Sequence, residues 1–171
     1  MRVGMRKSQS VDVETPPFRS VAFTLSSLGY AISRGFHEAL APLSLEPGEF
    51  ALLRAVAASG GEAQNALADR LHISPSWMVA IVDTLESRKL IERRPHARDR
   101  RVRNLHLTAA GRKLLKQAEQ RAMEFDRNVA DPLNEQELRR LLELLTRIAS
   151  GLELEPGSAH SALRDRPSSA G

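Results

Sequence analysis

Most of the chain's surplus positive charge falls in one stretch of eighteen residues. Between Glu86 and Arg103 stand Arg88, Lys89, Arg93, Arg94, Arg98, Arg100, Arg101 and Arg103, against Glu86, Glu92 and Asp99. The surplus of five exceeds the formal net charge of +4 carried by all 171 residues, so the remainder is slightly acidic. Arginine forks onto phosphate oxygens and fits the narrow minor groove of duplex DNA. A solvated hairpin carries such residues too, so the run points to a polyanion only through its setting.

The setting is a pair of short helices just upstream. Ser74-Pro75 supplies an N-cap serine and a proline suited to the first helical turn. The helix they open is expected to run to about Arg88, with Met78, Ile81, Val82 and Leu85 inward and Ile73 stapled onto Met78. Its opposite face holds Ser76, Ala80, Asp83, Thr84 and Ser87, with Trp77 at the boundary. Ser74 and Ser76 can donate to phosphates or base edges, and the Ala80 methyl can meet a thymine methyl. Trp77 can pack against the wing or touch the DNA, and packing is the favoured expectation. Asp83 would repel phosphate, and its expected partner is a nearby Arg or His.

Other chemistry is poorly represented. The five histidines, His37, His72, His96, His106 and His160, have no paired ligand spacing, and no metal or other cofactor is expected. With no cysteine there is neither a disulfide nor a thiolate site. No nucleophile elbow, phosphate loop or dinucleotide fingerprint is present, so an enzyme is not expected. No apolar run approaches the roughly 18 residues that span a membrane. The N-terminal basic residues lead into no apolar core, so no secretory leader or membrane partner is expected, and the expected location is cytoplasmic.

The elements that must position the arginines follow from periodicity. The apolar content of 42%, with only 4% aromatic residues, favours helices over a sheet sandwich. Phe18, Val21, Leu25, Leu28, Ile32, Phe36, Ala39 and Leu43 recur at spacings of three and four, predicting a long amphipathic helix. A second helix starts near Pro47, with Phe50, Leu53, Val56 and Ala57 inward, and ends at Gly60-Gly61. A third covers about 63–71. After the Ser74 helix, residues 90–94 and 102–107 read as two strands joined by a hairpin from Pro95 to Arg101. Thr108 caps the next helix, whose apolar positions run from Leu114 to Val129. After Asp131-Pro132, Asn134 and Glu137 form a capping-box start for a last helix bearing Leu138, Leu141, Leu142, Leu145 and Ile148. Residues 1–17 are polar and aperiodic and read as a flexible arm. Residues 151–171 are rich in Ser, Ala, Pro and Gly and read as a disordered tail.

Residues 45–115 resemble regulators of the MarR family almost without gaps. The hairpin carries that family's DxRxxxxxLTxxG pattern as Asp99, Arg101, Leu107, Thr108 and Gly111, preceded by the equally typical IVDTLESRKLIERR. The resemblance extends over about 18–150. It implies a mainly α fold: a winged helix-turn-helix lobe at 45–107 with a two-stranded wing, and N- and C-terminal dimerisation helices at 18–44 and 108–150. It also implies a homodimer on double-stranded DNA, with recognition helices in major grooves and wings in flanking minor grooves. Ser74, Ser76, Trp77, Ala80 and Thr84 then face the major groove. Arg98, Arg100, Arg101 and Arg103 serve the wing, with Arg101 in the minor groove and Asp99 orienting it or a neighbour. Arg93 and Arg94 are expected to contact phosphates.

The commonest logic of the family is a repressor released by a small aromatic or lipophilic effector. The candidate pocket residues are Tyr30, Phe36, His37, Phe50 and Met123, each of which also suits a dimer core. Two other readings stay open: an activator or anti-repressor of the same family, and a winged-helix protein-interaction module without DNA specificity. The chain departs from the family at Trp77 and Ala80, where small polar residues or arginine are frequent, and at Ala63 and His72.

Overall fold

A computed structural model describes residues 20–71, 73–96 and 103–154. Six α-helices and one antiparallel strand pair follow in the order α1 (Val21–Leu40), α2 (Pro47–Ser59), α3 (Gln64–Leu71), α4 (Pro75–Ser87), β1 (Ile91–Pro95), β2 (Arg103–Leu107), α5 (Ala109–Ala130) and α6 (Glu135–Gly151). The fold is mainly α with a two-stranded wing, as the periodicity and the resemblance led one to expect.

The chain divides after Arg34, within α1. In the first unit the Ser20 hydroxyl accepts from the Phe23 amide at 3.1 Å, and Val21, Phe23, Leu28 and Tyr30 are exposed. Phe18, the first residue of the expected stripe, lies outside the described residues. The second unit begins with the last residues of α1. That helix stops at Leu40 rather than continuing to Leu43, and Ala41–Leu43 form a tighter turn. Pro42 has no amide hydrogen to continue the α-helical ladder.

The remaining elements start and stop where local chemistry dictates. Glu49 reaches back to the Glu46 amide at 3.0 Å, stabilising the start of α2, and Gly60 ends that helix in the left-handed conformation at φ 65°. The Ser74 hydroxyl accepts from the Trp77 amide at 3.2 Å, so α4 begins where the Ser-Pro pair predicts. Asn134 accepts from Gln136 and Glu137 at 2.9 and 3.0 Å, and Glu137 closes the expected capping box at 2.9 Å.

The core of the second unit is one cluster. Leu40, Phe50, Leu53 and Val56 meet Leu67, Ile73, Met78, Val82 and Leu85, with Ile91, Leu105 and Leu115 closing the far side. Ile73 and Met78 are both buried, as a staple requires. Ile91 pairs with Leu107, Arg93 with Leu105 and Pro95 with Arg103, so the strands sit about one residue later than 90–94 and 102 suggested. Pro95 is tolerated because it ends its strand. A third segment flanks β2: the Leu105 amide donates to Glu62 O at 3.0 Å, and Ala63 bridges Asn104.

The wing is locked to α5 at its base. The Thr108 hydroxyl accepts from the Gly111 amide at 3.0 Å and donates to Lys89 O at 2.7 Å. A Cβ on Gly111 would stand 2.0 Å from Leu90 O, so only glycine permits this approach.

Candidate nucleic-acid interface

α4 presents the face that its sequence predicts. Ser74, Ser76, Ala80, Asp83, Thr84 and Ser87 are exposed, while Met78, Ile81, Val82 and Leu85 are buried. Ser74 and Ser76 lie with hydroxyls 3.3 Å apart at the start of the helix, where backbone amides favour anions. The Thr84 hydroxyl donates to Ala80 O at 2.9 Å, leaving its methyl and lone pairs outward. Trp77 is half-buried and packs against the core cluster, in line with the packing expectation.

Arg93 has a different employment from the one its sequence suggests. Its side chain is partly buried, and its donors go to three side chains on two helices. Nε donates to Gln64 Oε1 at 3.1 Å, Nη2 to Asp83 at 2.5 Å and Nη1 to Glu86. The Arg93 amide adds a bond to Glu86 at 3.2 Å. Burial works to lower the guanidinium pKa, but the hydrogen bonds and charges of Asp83 and Glu86 outweigh it and hold the pKa above its ordinary value. With its fork occupied, Arg93 fixes α3, α4 and β1 to one another. The arginine expected on a phosphate therefore serves as a strut, and the expected partner of Asp83 is identified.

Arg94 is exposed and paired with Glu92, and Arg103 is exposed at the start of β2. Arg98, Asp99, Arg100 and Arg101 lie outside the described residues, as does His72. At the other end of α4, Arg88 donates to the buried carboxylate of Glu49 at 3.0 Å, tying the helix to the start of α2.

The expected pocket residues have separate surroundings. Phe50 is buried, and Phe36 packs on both Phe50 and Phe125 with ring centroids 5.8 Å apart in each case. His37 Nδ1 lies 3.2 Å from Glu46 Oε2 near the surface. Met123 on α5 is exposed, and so is Tyr30, which belongs to the unit before Gly35. Phe50 thus belongs to the core, with Phe36 packed against it and Phe125 against Phe36.

Comparison with known proteins agrees with this geometry. The model of the MarR family matches residues 45–102. A putative transcriptional regulatory protein for the hcr operon of Thauera aromatica is 34% identical over 60% of this chain, the match spanning 61% of its own length. The uncharacterized HTH-type transcriptional regulator YpoP of Bacillus subtilis is 30% identical over 61% of this chain and 74% of its own length. The chain belongs to the MarR family. Among solved structures, this MarR-family regulator is similar to the transcriptional repressor CouR bound to a 23-mer DNA duplex. That likeness has 30% identity and a TM-score of 0.68, over 76% of this chain and 92% of CouR.

Three residues of the candidate interface escape a reading of the MarR-family sequence by residue type. Val79 is 44% exposed beside Ser76 and Asp83, where an apolar side chain can meet a thymine methyl. A helical projection alone would have found it. Gln64 and Glu86 matter through Arg93, and no local pattern announces them.

Proposed function

We propose that this MarR-family regulator is a DNA-binding repressor that acts as a homodimer in the cytoplasm and is released by a small effector. The observation that carries DNA binding is the exposed, largely neutral face of α4, with Arg93 of the strand pair β1–β2 tied to it through Asp83 and Glu86. Asp83 on that face is paired with Arg93, which it shares with Glu86, so its repulsion of phosphate is partly offset. Ser74, Ser76, Trp77, Val79, Ala80 and Thr84 are the proposed major-groove side. Arg98, Arg100, Arg101 and Arg103 are the proposed wing contacts, with Asp99 orienting Arg101, and Arg94 a phosphate contact. The complex of CouR with duplex DNA supports the reading.

Fluorescence anisotropy on DNA from upstream of the chain's own gene, across a salt series, tests it. Arg101→Ala weakens binding and lowers the salt slope by about one. Unchanged affinity and unchanged slope would reject the wing contact. No sequence-selective binding at moderate salt would reject the function and favour a protein-interaction module.

A further inference from the structure

On the outer face of the wing the chain forms a partly enclosed pocket of about 220 Å³, away from the Phe36–Phe50–Phe125 cluster. Its walls come from three elements: Val56 and Ala57 at the end of α2, Arg94 and His106 on the strand pair, and Arg112 on α5. We propose that this pocket binds a small carboxylate with a compact apolar body, the acid group held between Arg94, Arg112 and His106.

The polar wall is cationic and has donors to spare. Arg112 uses Nη1 on Leu107 O at 2.7 Å, which fixes its guanidinium at the pocket and leaves its other donors open. Arg94 is held by Glu92, which lies across the strand pair from His106, so a bound carboxylate competes with one exposed acid for that fork. His106 is half-buried and makes no hydrogen bond or ion pair among the described residues. An imidazole donates from one ring nitrogen in either neutral tautomer, so His106 can offer an N–H to a carboxylate seated in the pocket. The ring lies over Gly61, where a Cβ would come within 2.3 Å of it, so the close approach that shapes this wall depends on a glycine.

The other wall sets the ligand's body. Val56, Ala57 and Leu107 offer aliphatic surface beside the charged side. A cavity of about 150 Å³ holds benzene, so this volume takes a single ring or a short branched chain and excludes anything drug-sized. A bare inorganic anion would satisfy the arginines and leave the aliphatic wall uncovered. Arg94 is also a proposed phosphate contact, so occupancy would draw on a group that DNA uses. That consequence rests on the DNA-binding reading, whereas ligand binding itself does not.

Benzoate is the probe, titrated into the DNA-free full-length protein and followed by amide NMR, with benzyl alcohol and inorganic phosphate in parallel. Saturable benzoate shifts are expected at Ala57, Gly61, Arg94 and His106. Arg112→Gln should weaken binding by roughly tenfold or more through loss of a charge-assisted bond. Ala57→Leu changes an exposed helical position outside the proposed DNA face and should fill the pocket, abolishing the shifts while the unfolding midpoint stays near wild type. The proposal is overturned by the absence of saturable shifts, by shifts that survive Ala57→Leu, by equal affinity for benzyl alcohol, or by phosphate binding as tightly as benzoate.

Discussion

Arg93 and Asp83 show how a charge on a recognition surface changes meaning with its neighbours. An aspartate facing phosphate is a liability, and the sequence alone predicts that some cation must cover it. Eight basic residues lie within the next twenty positions, and nothing local chooses among them. The choice falls to Arg93 because β1 returns antiparallel to β2 and carries its third residue beneath α4. Arg93→Ala leaves Asp83 and Glu86 without their partner. Because Asp83 and Glu86 are partly exposed, the stability loss should be only about 1 kcal/mol by urea unfolding. DNA affinity should fall as the wing loosens, with the salt slope close to wild type. A slope reduced by about one would instead make Arg93 a phosphate contact.

At the scale of elements, the wing is placed less by its own pairing than by its base. Two five-residue strands are marginal alone, and this pair gains its position from Ile91, Leu105 and Leu107 in the core and from the Thr108 cap. Thr108 was legible as a helix cap because its side chain acts within its own turn. The need for Gly111 was visible only as a family pattern, since its cause is the carbonyl of Leu90, twenty-one residues earlier. Gly111→Ala should cost about 3 kcal/mol, because backbone rather than a flexible side chain blocks the new Cβ. Thermal unfolding would show it, and a loss below about 1 kcal/mol would mean that the junction between β2 and α5 yields easily.

At the scale of the whole molecule, two helices carry apolar residues that the single chain does not bury. No residue of α6 is buried: Leu141 and Leu142 are 40% and 55% exposed, and Ile148 is 36% exposed. On α1, Val21, Phe23 and Leu28 are more than half exposed. Exposed apolar residues of this kind on a helix mark an association site, and a second copy is the proposed occupant. Leu142→Glu should leave the fold of one protomer intact and convert the proposed dimer to monomer in sedimentation velocity. Because half-sites are bound together, DNA affinity should fall with it. A variant that still sediments as a dimer would place the interface elsewhere.

What the sequence by itself determined is whatever acts over a few residues. Helix starts at Ser74, Thr108 and Asn134, the inward face of α4 and the strand pair follow from caps and periodicity, whose range is one or two turns, whereas Ala57, expected inward on α2, is exposed and Leu52 is buried instead. Tertiary structure decided which groups from distant segments meet. It turned Arg93 into a strut, stacked Phe36 between Phe50 and Phe125, and gathered Arg94, His106 and Arg112 around one small pocket. Those outcomes depend on side chains that lie as much as 89 positions apart in the chain. No local pattern encodes such separations, because packing of the whole core must first bring the segments together.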